Sequence, residues 1–406
     1  MTNISANPIS SRERWKYILI LGAMMAMQPF ALDPYLPAAP SIAHTFLVSD
    51  QTIQLTLSAL TLGFALGQLI TGPLSDSLGR RRPMLVAAVL YVGAAVVVVT
   101  APNIVVFAVG RVLQGVAAAS IQVVGNAVMR DLYAGTALMK MMSRVFLIQA
   151  LSWFIGPLGG TLLLNVMDWR GLSVIIGCYG IAVLLLASRF LPETLHAHDR
   201  AEHEGFVVLF KRFANVLRDR AYLGIVAVGV LNSIGLFGYL SIMPFIYQNH
   251  FGLAGDQYGY FFVLNSFAGY VGVQAIAKIG QYVQLKWVVV GIFTVQILVG
   301  AALAVEAAMG AGLWVVQSTI MVLVFFIGGS FAPLGTLALT RHGEEAGTAA
   351  ALNMVMGSLG STLAAPMFAR LGSDSTLGLG FMEISVFALA LIGMFAIVRV
   401  RKLENI

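Results

Sequence analysis

The chain has 406 residues, of which 59% are hydrophobic and 10% charged, against about 25% charge in an ordinary soluble domain. With a mean hydropathy of +0.87, these figures exclude a soluble globular protein and indicate one that crosses a membrane many times. The formal net charge of +6 invites a nucleic-acid reading, but the placement of the basic residues explains it as membrane topology.

Apolar runs between polar breaks predict helices near 16–42, 51–76, 84–101, 103–129, 137–166 and 171–191, then near 220–248, 257–279, 286–308, 312–340, 345–370 and 376–399. A spanning helix needs about 20 apolar residues, so twelve account for most of the chain. The polar N-terminus enters the first helix without a small-residue cleavage site and reads as retained. Of the 24 Lys and Arg residues, all but Arg111, Arg170 and Arg370 precede the first helix, fall in alternate loops or lie in the C-terminal tail. The positive-inside rule then places both termini in the cytoplasm and requires an even number of helices. The single cysteine, Cys178, lies in an apolar run and permits no intrachain disulfide.

The first helix carries Asp33, within Leu32-Asp33-Pro34-Tyr35-Leu36-Pro37-Ala38-Ala39-Pro40, whose prolines remove backbone donors and loosen the helix end. Asp33 lies about ten residues, roughly 15 Å, from the outer end. Arg111 in the fourth helix lies about eight residues, roughly 12 Å, from its own. A charge at such depth costs at least ~3 kcal/mol on insertion scales. The matched depths allow the two to pair, either as a static buried salt bridge or as a proton carrier with a cation that sets its affinity.

Between the second and third helices, Gly72-Pro73-Leu74-Ser75-Asp76-Ser77-Leu78-Gly79-Arg80-Arg81-Arg82-Pro83 reads as a short loop. Gly72 and Gly79 suit close approach and a tight turn. Asp76 faces Arg80 and Arg81 across it, a carboxylate and guanidinium set able to form and break between two conformations. A positive loop that only sets orientation is the plainer alternative. In the fifth helix, Gly156-Pro157-Leu158-Gly159-Gly160 combines a bend with small residues that let helices approach closely.

Pro192 to Arg220 is polar and charged and reads as a connector, with an amphipathic stretch at 206–217. Its His196, His198 and His203 raise a metal reading, but a solvated linker without cysteines is the better account. Sliding the chain by 205 residues sets Gly272 on Gly67 and the 278–286 loop on the 72–83 loop, a diverged repeat in which the second copy has lost its charges. The expected organisation is a first six-helix bundle over 1–191, a connector over 192–219 and a second bundle over 220–406, opening alternately around a midplane cavity. Met27, Phe30, Tyr35, Gln114, Gln122, Asn126, Tyr239 and Asn265 are candidates to line it, with Asn232, Asn353 and Phe261, as apolar walls with a few polar anchors. Glu306 reads as interfacial, and Glu383, on an expected peripheral helix, as unlinked to function.

Several motifs are similar to known ones. Gly-x-Leu-x-Asp-x-x-Gly-Arg-Arg over 72–81 resembles the loop signature of the major facilitator superfamily of secondary transporters, with Ser77 where that pattern has a basic residue. The Asp33-to-Pro40 run, Gln54-Leu55-Thr56-Leu57-Ser58, Gly63-Phe64-Ala65-Leu66-Gly67-Gln68, Met129-Arg130-Asp131-Leu132-Tyr133 and Gly347-Thr348-Ala349-Ala350-Ala351-Leu352 resemble the Bcr/CflA group of drug:proton antiporters. Arg111-x-x-Gln114-Gly115 is similar to a fourth-helix motif whose arginine is associated with proton coupling. Gly156 to Gly160 is similar to the antiporter motif core, although Ser143 and Ser152 replace its earlier glycines.

This resemblance implies an all-α membrane protein of twelve helices in two six-helix halves. It implies a multi-pass transporter of the bacterial inner membrane, not an enzyme, that exports small amphipathic compounds against protons. Asp33 and Arg111 would couple the proton, Gly72, Asp76, Gly79, Arg80 and Arg81 would form a cytoplasmic latch, and Gly156, Pro157, Gly159 and Gly160 would supply the antiporter bend. Partners would be the substrate, protons and lipid, with no cofactor, metal or nucleic acid, and a monomer would suffice. An exporter of one endogenous metabolite or siderophore is the alternative. A membrane enzyme or sensor would need a catalytic cluster, and the chain carries no phosphate-binding loop for ATP.

Overall fold

A computed structural model describes residues 11–196, 200, 216–339, 346–368 and 376–398. His198, His203, nearly all of 206–217, and Arg341, Arg370, Arg399, Arg401 and Lys402 lie outside these residues.

The predicted first helix is broken by its prolines. It runs as α1 (Ser11–Met25), α2 (Met27–Leu32), a 3-10 turn (Asp33–Tyr35) and α3 (Ala39–Phe46). A proline deprives the carbonyl four residues earlier of its donor. Pro29 therefore ends α1 at Met25, and Pro34 and Pro37 prevent a regular helix beyond Leu32. Pro40 sits in the first turn of α3, where a missing N–H costs nothing.

The first half continues with α4 (Asp50–Leu78), α5 (Arg81–Val99), α6 (Ile104–Leu132), α7 (Gly135–Leu164) and α8 (Trp169–Phe190). The second half comprises α9 (Arg220–Phe245), which ends in a π-turn over Ile246–His250, then α10 (Gly255–Ile279), α11 (Leu285–Ala308), α12 (Leu313–Leu339), α13 (Ala346–Phe368) and α14 (Thr376–Gly393). Among the described residues, eleven stretches are long and apolar enough to span a membrane. The twelfth, α13, is punctuated by Asn353, Ser358, Ser361 and Thr362.

Glycines set the closest helix crossings in both halves. A Cβ at Gly63 would fall 2.9 Å from the Gly115 Cα of α6, and one at Gly67 would strike the α6 backbone at Val116. Gly272 of α10 meets the α12 backbone at Phe325 in the same way. The offset of 205 residues thus relates two glycines with one packing task.

The halves meet along two seams, α4 with α13 and α7 with α10. Across the first, Ser58 Oγ donates to the Thr362 carbonyl at 2.6 Å, the Thr61 and Thr362 hydroxyls lie 3.1 Å apart, and Ser358 Oγ donates to Gln68 Oε1 at 3.1 Å. Across the second, Ser266 Oγ donates to the Trp153 carbonyl at 3.4 Å. Beyond the seams, Gln248 Nε2 donates to the Pro37 carbonyl at 3.1 Å and Asn249 Nδ2 to Asp50 Oδ2 at 3.0 Å. These bonds run from mid-span to the end bearing Asp50, opposite the basic end that bears Arg80 and Arg130.

Both seam acceptors follow from sequence. Trp153 lies four residues before Pro157, and Thr362 four before Pro366, so neither carbonyl has a helical donor. In hydrocarbon a freed carbonyl needs another partner, and the opposite half supplies a hydroxyl to each.

Gly63→Leu is expected to destabilise the folded protein by at least the ~1–3 kcal/mol of an overpacked core, because the added atoms meet backbone. Gly93→Leu, where nothing lies within 4 Å of the new Cβ, is expected to melt as wild type. Thermal melting of the purified proteins by size-exclusion recovery compares them.

Candidate functional site

The 3-10 turn decides where the buried charges point. With three residues per turn, side chains two apart leave in different directions, so Asp33 and Tyr35 face different helices. Asp33 is 7% exposed and lies on α7, where a Cβ at Gly156 would stand 3.1 Å from the Asp33 Cβ. Pro34 lies on Gly160, whose Cβ would fall 2.7 Å from the Pro34 carbonyl oxygen. Gly156 and Gly160 therefore form the platform for the Asp33–Pro34 turn, and Pro157 between them frees the Trp153 seam carbonyl. A Cβ at Gly159 would meet nothing within 4 Å, so it is not part of this platform.

Tyr35 points to α6 and α8. The Arg111 guanidinium sits 4.2 Å above its ring, and the Tyr35 hydroxyl donates to Ser173 Oγ at 2.9 Å. Arg111 Nη1 donates to Gln114 Oε1 at 3.1 Å, and Arg111 Nη2 is buried without a hydrogen-bond partner. The expected Asp33–Arg111 ion pair is absent. The turn interposes Tyr35, so Arg111 is held by a π face and an amide, and Asp33 is left without a cation.

The remaining lining candidates divide. Met27 is buried and Phe30 packs on Tyr179 of α8 at 5.1 Å, both within the first half. Gln122 and Asn126 are half-buried on α6. Tyr239 and Asn265 belong to a buried network in the second half. Asn265 Nδ2 donates to the Tyr239 hydroxyl at 3.0 Å and, more weakly, to that of Tyr247 at 3.4 Å, while Gln317 Nε2 donates to Asn265 Oδ1 at 2.8 Å. Tyr247 in turn donates to Gln317 Oε1 and stacks on Phe261 at 5.5 Å. Asn232 accepts from Ser330 Oγ at 2.7 Å, and Asn353 lies near Gly229. Glu306 accepts from Thr319 Oγ1 at 2.5 Å. Among the described residues no three His, Cys, Asp or Glu side chains gather as metal ligands.

At the basic end, α4 continues to Leu78, so Gly72 to Ser77 is helical and the loop shrinks to Gly79 and Arg80. A Cβ at Gly72 would meet nothing within 4 Å, so the expected close approach is not seen there. Gly79, at φ +88°, needs to be glycine, and a Cβ there would also strike the Glu193 carboxylate. Arg80 Nη1 donates to Asp76 Oδ1 at 2.5 Å and to Ser75 Oγ at 2.8 Å, while Arg80 Nε donates to Asp131 Oδ2 at 2.9 Å. The Asp131 side chain is 17% exposed and that of Asp76 55%, so the pair with Asp131 is the better shielded. Arg81 bonds the Ser188 carbonyl at 2.7 Å rather than Asp76.

Sequence reasoning missed Glu193. Its Oε1 accepts from the Arg80 N–H at 2.7 Å and the Leu195 N–H at 3.1 Å, and its Oε2 accepts from the Arg81 N–H at 3.2 Å. The Arg80 and Arg81 donors open α5, where a carboxylate is favoured. Burial pushes the Glu193 carboxyl up, but the Arg80, Leu195 and Arg81 N–H groups outweigh it and hold it below the usual carboxylate range. Burial likewise opposes the charge on Arg80, and the hydrogen bonds it donates to Asp131 and Asp76 outweigh that and raise its pKa.

The Glu193 contact is therefore expected to stabilise the protein fully above pH 4.5, the ordinary value for this group, and to be lost as pH falls through the lowered one. Melting temperatures of wild type and Glu193→Gln taken down an acid series test this. The gap between them should be constant near neutrality and should close only at acid pH.

Comparison with known proteins agrees with this architecture. The sequence model described as Major Facilitator Superfamily matches residues 18–365. The chain is 30% identical over 394 residues to the uncharacterized MFS-type transporter YdgK of Bacillus subtilis, covering 96% of each protein. It is 28% identical over 376 residues to a bicyclomycin resistance protein homolog of Haemophilus influenzae, covering 88% of this chain and 92% of that one. Among solved structures, a bacterial homolog to the human lysosomal transporter Spinster, inward-facing and unoccupied, matches with a TM-score of 0.77 at 14% identity, over 96% of this chain and 98% of the other. That last likeness is one of fold.

Proposed function

The chain belongs to the major facilitator superfamily and is a multi-pass membrane transporter, and from that premise we propose that it exports small amphipathic compounds in exchange for protons by alternating access. The observation that carries this reading is a buried carboxyl, Asp33, without an ionic partner, seated on the helix whose proline opens a seam to the other half. The drug-resistance relative supports the substrate class.

In the proposed cycle the basic end faces the cytoplasm of a bacterial inner membrane. The hydrogen bonds between the halves then close the outer side, and substrate enters from within. Asp33 holds the exchanged proton, and substrate arrival drives it off. Arg111, held over Tyr35, keeps a positive charge within the same half and biases Asp33 toward release. When the halves rock the other way, Asp33 takes a proton from outside and the substrate leaves. Asp76, Arg80, Arg81 and Asp131 act as the cytoplasmic latch. Gln122 and Asn126, with the apolar walls around them, serve as substrate contacts.

The satisfied Tyr239–Asn265–Gln317–Tyr247 network favours a second reading. A polar wall held by its own hydrogen bonds suits one defined ligand, a metabolite or siderophore, better than many.

Efflux of a panel of dyes and antibiotics from pump-deficient cells, with and without a collapsed proton gradient, separates these readings. Wild type is expected to move several compounds only with the gradient, and Asp33→Asn to lose the gradient-driven export at equal expression. If nothing on the panel moves, the single-ligand reading replaces the broad one. Normal pumping by Asp33→Asn would remove that residue from coupling.

Asp76→Asn is expected to slow transport several-fold while melting as wild type, since Arg80 keeps Asp131. A wild-type rate in the folded variant excludes Asp76 from the latch.

A further inference from the structure

Glu383 lies outside everything assigned above. It was expected on the periphery, yet α14 packs between α9 and α11, and Glu383 is fully buried with both carboxyl oxygens lacking a hydrogen-bond partner. The carboxyl rests on bare backbone, since a Cβ at Gly235 of α9 would stand 3.1 Å from Glu383 Oε2, with the Phe387 ring on the same side. One turn before Gly235, the equally buried Asn232 spends its Oδ1 on Ser330, and its Nδ2 donates to nothing.

The charged and titratable groups on the neighbouring elements do not form a salt bridge with it. On α9, the Tyr222 and Tyr239 hydroxyls meet the Ala349 carbonyl and Asn265, and Arg220 opens the helix at the basic end. On α11, Glu306 meets Thr319, and Lys286 lies 14 residues before Gly300, the residue that packs on Gly380 and Ile384, or roughly 21 Å along the helix axis at 1.5 Å per residue. The described residues of α13 carry no charge. With neither oxygen hydrogen-bonded and no cation paired with it, the carboxyl as seated here is the neutral acid.

We propose that Glu383 is a proton-binding site of the second half, separate from Asp33, that holds its proton while α9 and α14 are packed as seen and releases it when that packing loosens. On release the carboxyl O–H bond breaks, the proton passes to water, and the carboxylate left behind takes a hydrogen bond from the free amide of Asn232. The packed, proton-bearing state requires no transport reaction. The release step rests on the alternating-access reading above.

Infrared spectroscopy of the full-length protein in lipid vesicles, titrated from neutral to alkaline pH, tests the site without any transport assay. The carbonyl band of a neutral carboxylic acid is expected at neutral pH, to be lost in Glu383→Gln, to persist in Asp33→Asn, and to give way reversibly to carboxylate absorption as pH rises. Glu383→Asp, which keeps the acid, should retain a displaced band and guards against misfolding of the amide variant. If no band at neutral pH depends on residue 383, the group is already ionised and the proposal fails. It fails equally if the band is unchanged at every alkaline pH, since such a carboxyl is packing alone.

Discussion

In a hydrocarbon environment every backbone carbonyl must find a donor within the protein, and this constraint shapes the seams. A proline inside a spanning helix leaves one carbonyl unserved. Here Pro157 and Pro366 each do so on a helix facing the other half, and Ser266 and Ser58 answer them. The contact between halves thus rests partly on two single hydrogen bonds set by two prolines, with small residues packed around them. Hydroxyl donors suit such a contact, because a serine on a helix can turn its proton back to a carbonyl of its own helix when the partner leaves.

The same chemistry arranges the first helix. Its prolines shorten α1, impose a 3-10 turn and send Asp33 and Tyr35 to different neighbours. Charge separation follows, with Arg111 settled over an aromatic ring and Asp33 on a glycine platform. A continuous helix would also have set these side chains about 160° apart, but without the carbonyls that now face Gly160 and Gln248.

Much of this was legible in the sequence. Long apolar runs report helices because only helices satisfy their own backbone in lipid, and the 205-residue offset correctly matched Gly67 with Gly272. Local charge spacing revealed Asp76 and Arg80. The rest was hidden where long separations meet. Glu193 lies 113 residues from Arg80, and no spacing rule links them. The Asp33–Arg111 pairing rested on depth alone, and depth says nothing of rotation about a helix axis. Gly159 and Gly72 carry the motif letters but face open space where a Cβ would stand, whereas Glu383, set aside for its helix's position, is among the most enclosed carboxyls. Pro157 and Pro366 could have flagged both seam acceptors, since the residue four earlier is readable directly.

The Glu193 contact also orders the making of the protein. Residues 80 and 193 are joined through α5 to α8, so their meeting closes a circuit around those four helices and can occur only after all four have been placed. Glu193 is translated before any residue of α9. The first half can therefore seal itself while the second is still on the ribosome, and the nascent chain presents a finished surface, with its seam hydroxyls and carbonyls in position, as a template for the helices that follow.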